Sequence, residues 1–116
     1  MKFIALIAVI QDKDEEKAIK VAKVNGAGAV TIVHGRNIGN EERKVFFGLT
    51  LEENVSILMF ILPKRISLKV MRALREEFDL DNHDNSGMAF TIELSHVAGL
   101  DNKELHKFES DIRNML

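Results

Sequence analysis

The chain contains no cysteine. That excludes disulfides, zinc–thiolate sites and thiol catalysis, and it leaves the redox compartment open. There is no basic excess: the formal net charge of −2 argues, if weakly, against nucleic acid. No apolar run approaches the ~20 residues of a membrane span. Residues Met1 to Ile10 are apolar after Lys2, but they lack a basic leader and a small-residue cleavage site. They run straight into Gln11-Asp12-Lys13-Asp14, so a core strand is the better reading than a signal segment, and a cytoplasmic protein is expected. Proline is used once, at Pro63, where it ends an apolar run.

What is present is an ordinary globular mixture, 46% apolar and 29% charged over 116 residues, enough for one domain with one core. Phe3 to Ile10 reads as a strand, eight apolar residues rich in β-branched types. Asp12 and Glu15 have capping-box spacing, Ala18, Ile19 and Ala22 form a stripe, and Asn25-Gly26 supplies a stop. A helix is predicted over 13–24. Ala29 to His34 reads as a second strand. Residues 35–48 lack periodicity and hold Gly35, Gly39 and Gly48, which indicates a loop. Val55 to Leu62 is a third strand. Ser67 is the expected cap of a second helix with Leu68, Met71, Leu74 and Phe78 on one face. A polar loop, Asp79 to Gly87, leads to a fourth strand, Met88 to Leu94. Asp101 and Glu104 form another capping box before Leu105, Phe108, Ile112 and Met115, so the chain ends in an amphipathic helix over about 102–115.

The order βαβ, loop, βαβ, helix is the split βαβ pattern. It predicts an α+β, ferredoxin-like domain with a four-stranded antiparallel sheet and two helices on one face. A sheet with one bare face should alternate apolar and polar residues. The first and third strands do not, since Ile4-Ala5-Leu6-Ile7 and Ile57-Leu58-Met59-Phe60 are apolar on both faces. The second face therefore needs a cover, either another copy of the chain or the C-terminal helix folded back across it.

Candidate chemistry is sparse. His34-Gly35-Arg36-Asn37-Ile38-Gly39 follows a strand, and its glycines would let backbone amides approach an anion that Arg36 could pair with. A hairpin needing two glycines for turn geometry is the plainer explanation, and no helix follows, so neither phosphate-loop context is met. Glu41-Glu42-Arg43-Lys44 and the adjacent Phe46 and Phe47 read either as a solvated loop tip or as a partner surface. Asp79 to Gly87 has spaced oxygens, but Asp84 stands where a calcium loop has glycine and Phe90 where it has glutamate; a solvated turn is the reading. His34, His83, His96 and His106 show no metal-ligand spacing, and no Ser-His-Asp arrangement is visible. Asp14-Glu15-Glu16 reads as helix-start charge.

Taken together, three groups of residues resemble the nitrogen regulatory protein P-II family over about residues 1–98. They are the opening Met1-Lys2-Phe3-Ile4, the run Gly26 to Arg36 into a long loop, and Leu62-Pro63 with Ser86-Gly87-Met88-Ala89-Phe90. The resemblance implies a non-enzymatic signal-transduction protein. It further implies a homotrimer, effector clefts between subunits that hold ATP or ADP, and a loop, here 36–54, that touches a target enzyme or transporter. Carried over, the ligand-binding residues are Ile7, Gly35, Arg36, Asn37, Ile61, Ser86, Gly87, Met88 and Ala89, and the partner loop carries Arg43, Lys44, Phe46 and Phe47. Met88 stands where the family has a phosphate-binding lysine, Gly99 and Asp101 where it has arginines, and Glu53 near another lysine. The chain has no tyrosine, so the family's uridylylated loop tyrosine has no counterpart. Two alternatives share the architecture, a CutA-like trimeric metal-binding protein and an enzyme on a ferredoxin-like fold.

Overall fold

The computed structural model describes residues 2–38, 45–46, 49–50, 53–82, 87–100 and 102–115. The first strand, β1, spans Phe3–Gln11, and a 3-10 turn at Asp12–Asp14 leads into helix α1, Glu15–Val24. Strand β2 spans Thr31–Asn37. Two short strands, β3 (Val45–Phe46) and β4 (Leu49–Thr50), pair with each other as a separate antiparallel ladder. Then come β5 (Glu53–Pro63), α2 (Lys64–Glu77), β6 (Met88–Glu93) and α3 (Asn102–Met115). The main sheet has the order β2-β5-β1-β6 and every pair is antiparallel, so the expected ferredoxin-like α+β architecture is present.

Strand alternation sorts the side chains. Leu6, Ala8 and Ile10 of β1 and Leu58, Phe60 and Leu62 of β5 face the helices and are buried with Ala18 and Ala22 of α1 and Ile66, Val70 and Leu74 of α2. Helix α1 ends as its sequence predicts. Gly26 takes a φ of 106°, its amide donates to the Lys23 carbonyl, and the Ala27 amide donates to the Ala22 carbonyl. That pair of hydrogen bonds closes the helix as a Schellman motif.

Several local expectations are corrected. No side-chain cap bond forms at the start of α1; the Glu15 carboxylate is engaged elsewhere. Ser67 does not cap α2. The helix begins earlier, directly after Pro63, and the Ser67 hydroxyl donates to the Lys64 carbonyl from inside it. The buried stripe of α2 accordingly runs through Ile66, Val70 and Leu74, and Leu68 is exposed. The loop expected over 36–54 is narrower, because β2 continues through Asn37 and β5 begins at Glu53. Of the expected Asp101–Glu104 capping box, Asp101 lies outside the described residues and Glu104 falls in the first turn of α3.

The opposite face of the sheet is apolar and open. It presents Ile7 and Val9 of β1, Ile57, Met59 and Ile61 of β5, Val33 of β2, and Met88, Phe90 and Ile92 of β6, while Ala5 on the same side is buried. Val33 is 52% exposed, Met88 57% and Ile92 48%, which are high values for large apolar groups on a sheet face. The C-terminal helix does not cover this face. Phe108 of α3 is buried in the helix-side core and Ile112 packs against it. The reading in which α3 folds across the open face is therefore overturned. Phe108 takes α3 to the core that α1 and α2 already line.

Candidate functional site

The residues expected to bind an effector fall into two groups in the sheet. Gly35, Arg36 and Asn37 close β2, opposite Val55, Asn54 and Glu53. Met88 and Ala89 open β6, opposite Val9 and Ala8, with Gly87 just before them. Both groups lie toward the same end of the sheet, where β1 finishes. They occupy its two outer edges, three strand spacings or about 14 Å apart. A single copy of the chain does not bring them together. Ile7 sits mid-face between Met59 and Phe90, whereas Ile61 lies six residues along β5 from Val55, about 20 Å toward the other end. Ser86, Arg43, Lys44 and Phe47 lie outside the described residues, and of Phe46 only the pairing of β3 with β4 is described.

Close to the root of the loop, three side chains that sequence reasoning kept apart do converge. Glu15 Oε1 accepts a hydrogen bond from the Ser56 hydroxyl at 2.8 Å and lies 2.6 Å from His34 Nε2. Ser56 is fully buried, and His34 is mostly exposed. The Ser56 bond, then the His34 bond and its charge, hold the Glu15 carboxyl below its ordinary pKa of 4.5, against a smaller opposing effect of desolvation. A serine, a histidine and a carboxylate are thus assembled, but in the wrong order for nucleophilic catalysis. The carboxylate stands between the other two, so the imidazole bonds Glu15 and is not positioned to take the Ser56 proton. The arrangement instead ties the first turn of α1 to β2 and β5 beside Gly35. By sequence alone Glu15 reads as helix-start charge. One sequence signal was available: Ser56 is a lone hydroxyl in the apolar run of β5, and a buried hydroxyl needs a partner.

Two cavities lie elsewhere. One of about 560 Å³ is lined by Lys2, Phe3, Glu93, Ser95 and His96 at the sheet end far from the loop root. The other, about 400 Å³, lies between the helices and is lined by Lys23, Asn25, Gly26, Ile66, Lys69 and Lys107 with Asp111. Among the described residues no group of three or more potential metal ligands occurs. Of the Asp79–Gly87 stretch, Asp79 accepts from Asn82 and Asp81 pairs with Arg75; 83–86 lie outside the described residues. Among the described residues no helix is long and apolar enough to cross a membrane.

No family model matches the sequence, and no curated protein does. Solved structures do match. A nitrogen regulatory PII-like protein from Thiomonas intermedia K12, bound to ADP, AMP and bicarbonate, superposes with a TM-score of 0.64 at 13% identity, over 86% of this chain and 98% of that one. A PII-like signaling protein from Thermus thermophilus gives 0.60 at 19% identity, over 81% and 88%. CutA1 from Pyrococcus horikoshii gives 0.61 at 13% identity, over 93% and 96%. At these identities the likeness is one of fold, and it agrees with the sheet order and helix placement seen above: this chain has the fold of the PII-like proteins, which CutA1 also shares.

Proposed function

We propose that the protein is a PII-like regulator that assembles as a homotrimer through the open face of its sheet and binds a small effector in clefts between subunits. The observation that carries this reading is the separation of the two candidate half-sites. Gly35-Arg36-Asn37 and Gly87-Met88-Ala89 lie toward one end of the sheet but on opposite edges, with an exposed apolar face between them. Packing of that face against copies of itself would bury it and carry the β2 edge of one subunit to the β6 edge of the next. The effector would then bias the loop between β2 and β5, which would meet a target protein. Non-enzymatic action fits the Glu15-centred network, in which Ser56 and His34 do not form a nucleophile–base pair.

The effector class is narrowed by charge. Met88 supplies no cation, and a charge-assisted hydrogen bond is worth roughly 1.5–3 kcal/mol. Arg36 is the cation at the loop root among the described residues. A ligand with fewer charges than a triphosphate, such as a nucleoside monophosphate or diphosphate, fits best. Isothermal titration against ATP, ADP, AMP and cyclic nucleotides tests this. Heat is expected from AMP or ADP, reduced in Arg36→Ala; silence from all of them removes the nucleotide version. A parallel copper and zinc titration addresses the metal-binding role, and saturable metal uptake would replace this reading with that one.

A further inference from the structure

Helices α1, α2 and α3 meet around the cleft of about 400 Å³ on the layer opposite the open sheet face. Three ammonium groups line it, one from each helix: Lys23 near the end of α1, Lys69 in α2 and Lys107 in α3. Among the described lining residues there is one carboxylate, Asp111. None of the three lysines makes an ion pair among the described residues. All three are exposed at the rim, and the lining between them is mixed, with the buried Ile66 and the exposed Val24 beside Asn25 and Gly26. The approach is close at Gly26, where a side chain would meet Ile66 Cδ1 at 3.2 Å.

In a chain of net charge −2 this concentration of cations, unpaired among the described residues, is local and does not reflect a general basic surplus. Three like charges around one concavity repel one another, and a multivalent anion between them reverses the sign of that energy. The volume falls within the range of small-molecule sites, at its lower end. We propose that this cleft is a second binding site, for a small soluble solute bearing a phosphate or pyrophosphate group, and that its occupation clamps α3 onto α1 and α2. Lys107 neighbours the buried Phe108, so an anion shared by Lys107, Lys69 and Lys23 adds a polar tie beside that apolar one. The site stands independently of the effector clefts proposed above, because it uses the helix layer and no residue of β2 or β6.

The test uses the full-length chain with pyrophosphate as probe, followed by calorimetry and by hydrogen exchange of the α3 amides. Saturable binding is expected, with slower α3 exchange on saturation. Lys69→Ala and Lys107→Ala should each weaken binding about fivefold or more, while Asp111→Asn should tighten it by removing the repelling charge. These positions are at the rim, so melting of the variants without probe should stay close to that of the parent. Pyrophosphate affinity unchanged in both lysine variants, or α3 protection reproduced by sodium chloride at equal ionic strength, would overturn the proposal. Because nucleotides also carry phosphate, Arg36→Ala serves as the cross-check. It should leave pyrophosphate binding at the lysine cleft intact, so the two sites succeed or fail separately.

Discussion

His34 Nε2 on β2 stands 2.6 Å from Glu15 Oε1 in the first turn of α1, and the same oxygen also receives the buried Ser56 hydroxyl of β5. A helix start is thereby fastened to two strands at the root of the loop. The Glu15 carboxyl is held below its ordinary pKa of 4.5 by these bonds, so the folded state favours its ionised form. Its contribution to stability is then fully present above the unfolded carboxyl range and is lost as pH falls through the lowered folded value. Urea melts at falling pH should show the parent losing its advantage over Glu15→Gln below about pH 4.5. A gap between the two that does not narrow on acidification would contradict the assignment.

The open face gives a prediction about assembly. Phe90 and Ile92 are 41% and 48% exposed on β6, so replacing either with glutamate should leave the fold of a single copy intact. The charge would, however, be buried without a partner if copies pack through this face. Light scattering should show an oligomer for the parent and a monomer for Phe90→Glu, with matching far-ultraviolet dichroism. A parent that is monomeric at micromolar concentration would sink the homotrimer.

Among the described side chains of helix α3, Phe108 is the most deeply buried. Phe108 is 2% exposed and lies among the core residues, so Phe108→Ala should cost about 3 kcal/mol, the low end for buried phenylalanine. Chemical denaturation measures the loss. Hydrogen exchange should show it concentrated in 102–115, with the sheet amides much less affected.

Gly26 tests the helix stop. Its φ of 106° disfavours any side chain, and a methyl group there would press on Ile66 at 3.2 Å. Gly26→Ala should destabilise the domain by about 1–2 kcal/mol. The reading would be wrong if the midpoint of urea unfolding were unchanged.

Much of this fold is legible along the chain because its signals are local. The apolar run Phe3 to Ile10, the stripe Ala18 and Ala22 and the stop Asn25-Gly26 each report on neighbours within a few residues, and each has the expected structure. The caps were less legible. Ser67 has the right type for a helix start, yet Pro63 starts α2 earlier and leaves Ser67 inside it. Glu15 has capping-box spacing, but a partner 41 residues away in the chain, Ser56, takes its carboxylate. Propensity names what a side chain can do, and tertiary proximity chooses among its options.

By itself the sequence determined the four strands of the main sheet, the helices and the apolar character of β1 and β5 on both faces, since side-chain alternation sends successive apolar residues to opposite sides. Only the tertiary structure decided that α3 does not cover the second face, because Phe108 packs into the core beside α1 and α2 and a helix can bury its apolar stripe only once. It alone set Gly35 and Met88 on opposite edges of one sheet and gathered Lys23, Lys69 and Lys107 around one cleft. Residues far apart in sequence meet through packing, and no local pattern along the chain encodes such a meeting.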